Sequence, residues 1–237
     1  MPVALLLVWL AQPSACTADT VSALADAGRH ARAFDLAGAV GRLRDTPEAC
    51  ETTRLALLYL RGLQAAREAY RNGGDEESLA PVTEALAALD AYVAGNPRAD
   101  VIRLTLMAAA AAAQSERGDM LLLLEQATAL EKRLVRGGSA AAPGVTAHEA
   151  AGDLWLQVHR FDAARAAYQE AAAVTGSSPR ISIGLARVAV RLHEDAAACA
   201  AYRMFVMQWS GGETPPEVVE ARTFLADPRC GAAATEK

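Results

Sequence analysis

The sequence predicts an all-α protein, arranged as an array of antiparallel helical hairpins. About a quarter of the 237 residues are alanine, the residue with the highest helix propensity. Isoleucine, which sheets favour, occurs only at Ile102, Ile181 and Ile183. Between clusters of turn-forming residues, apolar side chains recur at helical spacing, and no segment alternates with a period of two. These observations favour helices and leave little sequence that could form a sheet.

Composition and charge limit the classes of function. The chain is 52% apolar and 22% charged, which indicates one domain or one short repeat array and excludes a disordered polyampholyte. Its formal net charge is −5, and no run of basic residues provides a local patch. Nucleic-acid binding depends on basic surfaces, so we do not expect it.

The amino-terminal residues have the composition of an export signal. The apolar run at residues 2–11 (PVALLLVWLA) has ten residues, whereas crossing a bilayer core takes about 20. Small and polar residues follow, as in the cleavage region of a secretory signal. We interpret residues 1–15 as a signal peptide and expect an exported protein, periplasmic or associated with the cell envelope. The alternative is that the run forms the first buried helix of a cytoplasmic protein.

The four cysteines have two explanations. In an exported chain they form two disulfides, with one pair flanking the first predicted hairpin and the other flanking the last. Three pairings are open, and the alternative is four free thiols in the cytosol. Ser14-Ala15-Cys16 also resembles the end of a bacterial lipoprotein box, which implies lipidation of Cys16. No two cysteines lie close in sequence, so we expect no zinc site. The cysteines are Cys16, Cys50, Cys199 and Cys230.

Clusters of glycine, proline and asparagine divide the chain into predicted helices. Examples are Asn72-Gly73-Gly74 and Gly95-Asn96-Pro97, which contain the residues that turns prefer. Neighbouring helices joined by short connections pack antiparallel, so the series forms successive hairpins. The predicted helices, ten or eleven in number, lie near residues 18–29, 31–44, 48–72, 76–95, 98–117, 119–136, 145–158, 161–175, 179–192, 195–209 and 215–226.

An internal repeat lies near the carboxyl end. Residues 159–168 (HRFDAARAAY) align with residues 193–202 (HEDAAACAAY) at an offset of 34, and the histidine, four alanines and the tyrosine coincide. The offset also matches apolar positions in the preceding predicted helices. Agreement at one offset across both helices of a hairpin indicates two tandem copies of one unit.

This pattern resembles the tetratricopeptide repeat family, whose unit is a helix–turn–helix of 34 residues. The resemblance is clearest over residues 145–209 and implies a right-handed solenoid. In that family small residues let two helices approach closely, and aromatic residues fill the space beside them. We divide the mature chain into divergent helical hairpins at 16–144 and repeats with a carboxyl-terminal capping helix at 145–237. The positions that carry the resemblance are Gly152, Trp155, Ala164, Tyr168, Ala171, Ala186, Ala198, Tyr202 and Phe205.

The sequence predicts no catalytic residue, cofactor or metal site. His148-Glu149 lacks the second histidine of a helical zinc-protease motif, so we interpret it as a solvated helix start. The glycine pairs lack the Lys-Ser/Thr of a phosphate loop. His159 and His193 occupy the same repeat position before a turn, which favours a structural role at the end of a helix.

One set of charged residues is a candidate binding site. The spacing of Arg180, Arg187 and Arg191 places them on one helical face, where guanidinium groups could hold a carboxylate or an acidic peptide segment. In the resembling family the first helix of each unit lines a concave groove, which implies that Glu149, Asp153 and Gln157 lie there too. The alternative is a solvated charged face in which the arginines pair with Glu149 and Asp153.

These observations favour a non-enzymatic scaffold that binds a protein or peptide partner through its concave groove. The first alternative is a structural lipoprotein component of an outer-membrane assembly, with contact to the membrane through the lipid anchor alone. The second alternative is an enzyme on a helical fold.

Overall fold

The computed structural model describes residues 18–32, 36–44, 50–209 and 214–232. Over these ranges the chain forms twelve α-helices and no strand, which confirms the predicted all-α array of helical hairpins. The helices are α1 (Ala18–Arg32), α2 (Leu36–Arg44), α3 (Glu51–Asn72), α4 (Glu76–Val93), α5 (Pro97–Ala113), α6 (Arg117–Arg136), α7 (Ala147–Gln157), α8 (Phe161–Thr175), α9 (Pro179–Arg191), α10 (Asp195–Gln208), α11 (Pro216–Leu225) and α12 (Pro228–Ala232).

The helix boundaries differ from the predicted ones mainly at the two ends of the array. Helix α1 continues to Arg32, where the sequence predicts a break after residue 29. The carbonyl of Ala31, in the last turn of α1, accepts a hydrogen bond from Nη1 of Arg180. This partner is remote in sequence, so no local pattern could indicate that the helix continues. Helix α12 was not predicted because it has only five residues.

Consecutive helices pack as five hairpins: α1 with α2, α3 with α4, α5 with α6, α7 with α8, and α9 with α10. The first helices of successive hairpins also contact one another, α3 with α5, α5 with α7, and α7 with α9. Helices α11 and α12 pack on α10 and cover the carboxyl-terminal end. Helix α1 contacts both α3 and α9, so the array curves until its first hairpin meets its fifth.

Three of the hairpins share one turn geometry. Ser115, His159 and His193 all have positive φ, between 59° and 64°, in the left-handed region that usually favours glycine. The residue after each donates its amide to a carbonyl in the last turn of the preceding helix, as Arg160 does to Trp155. The left-handed Ser115 follows the end of α5 at Ala113, four residues before the predicted end at 117. The two histidines therefore have the structural position that the repeat suggests.

Tyr168 is the best-enclosed aromatic residue of the repeat region. Its side chain is fully buried between α7 and α9. A Cβ atom built on Gly152 would lie 2.5 Å from the tyrosine ring, and one built on Gly184 would lie 2.3 Å from it. Two glycines on opposite sides therefore make the space for one ring. Of the other predicted packing residues, Trp155 is half-buried, and Ala164, Ala171, Ala186, Ala198, Tyr202 and Phe205 are buried.

A disulfide joins α10 to α12 through Cys199 and Cys230, both of which are buried. Cys50 is disulfide-bonded as well. The predicted signal peptide at 1–15 and the predicted lipidation of Cys16 lie outside the described residues. None of the helices described is long and apolar enough to cross a membrane.

Candidate functional site

The concave side of the array encloses a cavity of about 560 Å³. Its walls come mainly from the first helices of the hairpins, α3, α5, α7 and α9, with contributions from α2, α10 and α11. This volume is in the range of sites that hold a small molecule or a short stretch of peptide. Five arginines and two carboxylates line the cavity: Arg67, Arg71, Arg180, Arg187, Arg191, Asp153 and Glu220.

Arg180 and Asp153 form the inner ion pair of the cavity. Nε of Arg180 donates to a carboxylate oxygen of Asp153 at 2.8 Å, and Nη2 donates to the same oxygen. The hydroxyl of Tyr168 donates to the other oxygen of Asp153 at 2.5 Å. Burial by itself lowers the pKa of Arg180, but the carboxylates of Asp153 and Glu149 outweigh it and raise that pKa. This arginine is therefore a buried cation whose guanidinium group is already engaged.

A second ion pair joins α9 to the capping helix α11. Arg187 binds both carboxylate oxygens of Glu220, with Nε–Oε1 at 3.0 Å and Nη2–Oε2 at 2.6 Å. Tyr202 donates its hydroxyl to Oε1 of Glu220 at 2.7 Å. Burial acts to raise the pKa of Glu220, but the hydrogen bond and charge of Arg187 prevail and lower it. The guanidinium group of Arg187 thus holds α11 against the end of the array.

The remaining three arginines of the cavity, Arg67, Arg71 and Arg191, form no side-chain hydrogen bond or ion pair within the part of the chain that the structure describes. Arg71 and Arg191 are exposed, whereas Arg67 is half-buried.

Arg67 lies among other cations. Burial lowers the pKa of Arg67, and the charge of Asp153 opposes that shift. The positive charges of Arg71, Arg180 and Arg187 lower the pKa further. The cavity therefore holds a partly desolvated arginine without a carboxylate of its own.

The structure brings five of the six predicted groove residues to the cavity. Asp153, Gln157 and the three arginines of α9 line it, whereas Glu149 does not. Glu149 forms a capping box with Thr146 at the start of α7 and also accepts a hydrogen bond from Ser178. Its carboxylate has a structural position, two per cent exposed.

The sequence analysis missed the contribution of α3, which supplies Arg67, Tyr70 and Arg71. This helix belongs to the divergent amino-terminal half, where the repeat could not be aligned. The pairing of Arg67 with Arg71 four residues later was a usable signal, because it places two cations on one helical face.

The interpretation of His148 as part of a solvated helix start is wrong. His148 is two per cent exposed, and its Nδ1 lies 2.8 Å from Oε2 of Glu131 on α6, which is fully buried. The same carboxylate accepts the backbone amides of Ala142 and His148. Glu131 therefore fixes the loop between α6 and α7, a long-range contact that local sequence does not indicate.

Across the described ranges, no group of three or more histidine, cysteine, aspartate or glutamate residues is arranged to hold a metal ion. Comparisons with protein-family models, with curated proteins and with solved structures find no match to this chain.

Proposed function

We propose that this protein is a helical-repeat scaffold of tetratricopeptide type whose concave cavity binds an acidic segment of a protein partner. The observation that supports it is the charge of the cavity, where five arginines face two carboxylates although the chain as a whole has a net charge of −5. A local excess of cations inside an acidic protein favours an anionic ligand and disfavours other partners.

The size of the cavity favours a segment of chain over a folded surface. A volume of about 560 Å³ accommodates a few side chains. The rim contains the exposed Arg71 and Arg191, and the walls contain apolar side chains such as Leu63 and Leu156. An extended acidic peptide could place its carboxylates on the rim and apolar atoms against the walls.

We also propose an oxidising location for the protein, in agreement with the predicted export. Cys199 and Cys230 are bonded to each other, and Cys50 is also in a disulfide. Structural disulfides persist in the periplasm and outside the cell and are rare in the cytosol.

A peptide library tests the proposed function. Random peptides are selected on the wild-type protein, and their affinities are then measured on Gln157→Trp, which fills part of the cavity. The matched control is Gln169→Trp, the same exchange at an exposed position of α8 outside this cavity.

We expect the selected peptides to be rich in aspartate and glutamate. Their affinity should fall about tenfold or more on Gln157→Trp and stay unchanged on Gln169→Trp, since an indole in the cavity removes the space that the ligand needs. Both variants should melt within a few degrees of wild type. Selected peptides without acidic residues, or equal binding to both variants, would contradict the proposal.

A further inference from the structure

Resting on the proposed function, we propose that the anionic group recognised in the cavity is a phosphomonoester, held by Arg67, Arg71 and Arg191. These three residues are called the open arginines below. The inference specifies the chemistry of the ligand and separates the cations that bind it from those that hold the fold together.

The first step is that two of the five cavity arginines are already neutralised. Arg180 is paired with Asp153, and Arg187 is paired with both oxygens of Glu220. The next acid, Glu217, has an oxygen 3.8 Å from Nη2 of Arg187. Even with Glu217 counted, five cations face three carboxylates, so the site retains positive charge that its own acids do not balance.

The second step is the position of Arg67. Its side chain is half-buried in the cavity wall, and no carboxylate in the described part of the chain pairs with it. A partly desolvated cation without a partner costs stability in the free protein. An anion bound in the cavity would supply the missing partner, which gives it a reason to bind here and not on an exposed arginine.

The third step is the number of charges. A carboxylate carries one negative charge and two acceptor oxygens, whereas a phosphomonoester carries about two charges at neutral pH and three terminal oxygens. Two of the open arginines lie one turn apart on α3, and the third lies on α9. A dianion with three acceptor oxygens can engage guanidinium groups from both helices at once.

Isothermal titration of the full chain at neutral pH and constant ionic strength tests this assignment. The probes are N-acetyl-phosphoserine amide, N-acetyl-glutamate amide and N-acetyl-serine amide. We expect phosphoserine to bind about tenfold or more tightly than glutamate, and serine to show no binding. Arg67→Gln should weaken phosphoserine binding about tenfold, because the central donor is lost.

The matched control is Arg136→Gln, which removes the same charge from an exposed position at the end of α6, outside the cavity. It should leave the affinity for phosphoserine unchanged. Equal affinity for glutamate and phosphoserine, no binding of phosphoserine, or equal effects of Arg67→Gln and Arg136→Gln would overturn the assignment. Thermal melts confirm that the variants are folded before titration.

Two further probes separate this inference from the proposed function. A short alanine peptide with a central phosphoserine should bind more tightly than inorganic phosphate, if the ligand is a segment of a partner. Inorganic phosphate that binds as tightly as the phosphopeptide supports the phosphate site and counts against a peptide partner. Acidic peptides that bind through the cavity while phosphoserine does not would retain the proposed function and remove the phosphate assignment.

Discussion

Tyr168 and Tyr202 lie 34 residues apart at the same position of the repeat, yet the structure encloses them differently. Tyr168, in an interior layer, lies between two glycines and donates to Asp153 on α7. Tyr202, in the end layer, packs on Phe224 of the capping helix with ring centroids 4.8 Å apart, and donates to Glu220 on α11.

The comparison shows which feature recurs. In both layers a carboxylate bridges a tyrosine hydroxyl and an arginine of α9. In the interior layer the carboxylate comes from the helix before α9, and in the end layer it comes from the capping helix after it. The bridge is thus preserved although the residue that supplies the acid changes, so α9 is held by acids on both of its sides.

The largest expected difference between the two layers is between their arginines. Arg180→Met should lower the free energy of unfolding by about 3–5 kcal/mol, since it leaves Asp153 without its cation and removes the donor to Ala31. Arg187→Met should cost about 1–2 kcal/mol, because Glu220 is more exposed and can be solvated. Urea denaturation of both variants measures the difference, and equal losses would show that the layers are held equally.

The disulfide tests how strongly the end layer depends on its cap. Replacing both Cys199 and Cys230 by alanine should cost about 3 kcal/mol, because the bond closes a separation of 31 residues. The loss should be localised, since the bond joins α10 to α12 and does not reach the interior layer. Hydrogen exchange should show lower protection in α11 and α12 than in α7 and α8, and a uniform decrease would contradict a local clasp.

The interior layer has its own test in the glycines around Tyr168. Gly184→Ala should cost about 1–3 kcal/mol, because the added methyl group would lie 2.3 Å from a fully buried ring. Gly118→Ala is the control, a helical glycine whose added Cβ would have no neighbour within 4 Å. It should be neutral or slightly stabilising, as alanine favours the helix. A control that destabilises as much as Gly184→Ala would remove the packing argument.

The smallest expected effects concern two acids of α11 with opposite pKa shifts. Burial is the main cause that raises the pKa of Glu217 above its ordinary 4.5, and one of its oxygens is buried without a hydrogen-bond partner among the described residues. The pKa of Glu220 lies below 4.5, since Arg187 outweighs the effect of burial.

The signs of the two effects follow by linkage. Glu217 binds its proton more readily when folded, so its ionisation reduces stability as the pH rises through its folded pKa. Glu220 contributes stability above pH 4.5 that is lost as the pH falls through its lower folded pKa. Glu217→Gln should therefore raise the melting temperature at neutral pH and Glu220→Gln should lower it. Both differences should shrink in acid, and shifts of equal sign at neutral pH would contradict the assignment.

The sequence was sufficient for what depends on local periodicity and on the repeat. Helical spacing located eleven helices, and the offset of 34 residues located Tyr168, Tyr202 and the turns at the two histidines. It was not sufficient for contacts between helices far apart in the chain. The alignment matched Gly152 with Ala186, whereas the residue that faces the same ring from α9 is Gly184.

The same limit applies to the cavity. The spacing of the α9 arginines was visible, but only the fold shows that Arg180 and Arg187 are engaged by acids and that Arg67 is not. The partner of Arg187 is Glu220, which lies in the capping helix outside the aligned repeat. A charge pattern on one helix therefore indicated where the cavity would be, and the neighbouring helices decided which of its cations are open.

The hydrogen bond from Arg180 to the carbonyl of Ala31 connects the first and fifth hairpins across 149 residues. Most linear repeat proteins tolerate gain or loss of a unit, since each unit contacts only its neighbours. Here an inserted or deleted hairpin would move α9 away from α1 and separate this donor from its acceptor. The number of units is thereby fixed by the geometry of closure, and this chain would change through substitution within its units more readily than by duplication of one.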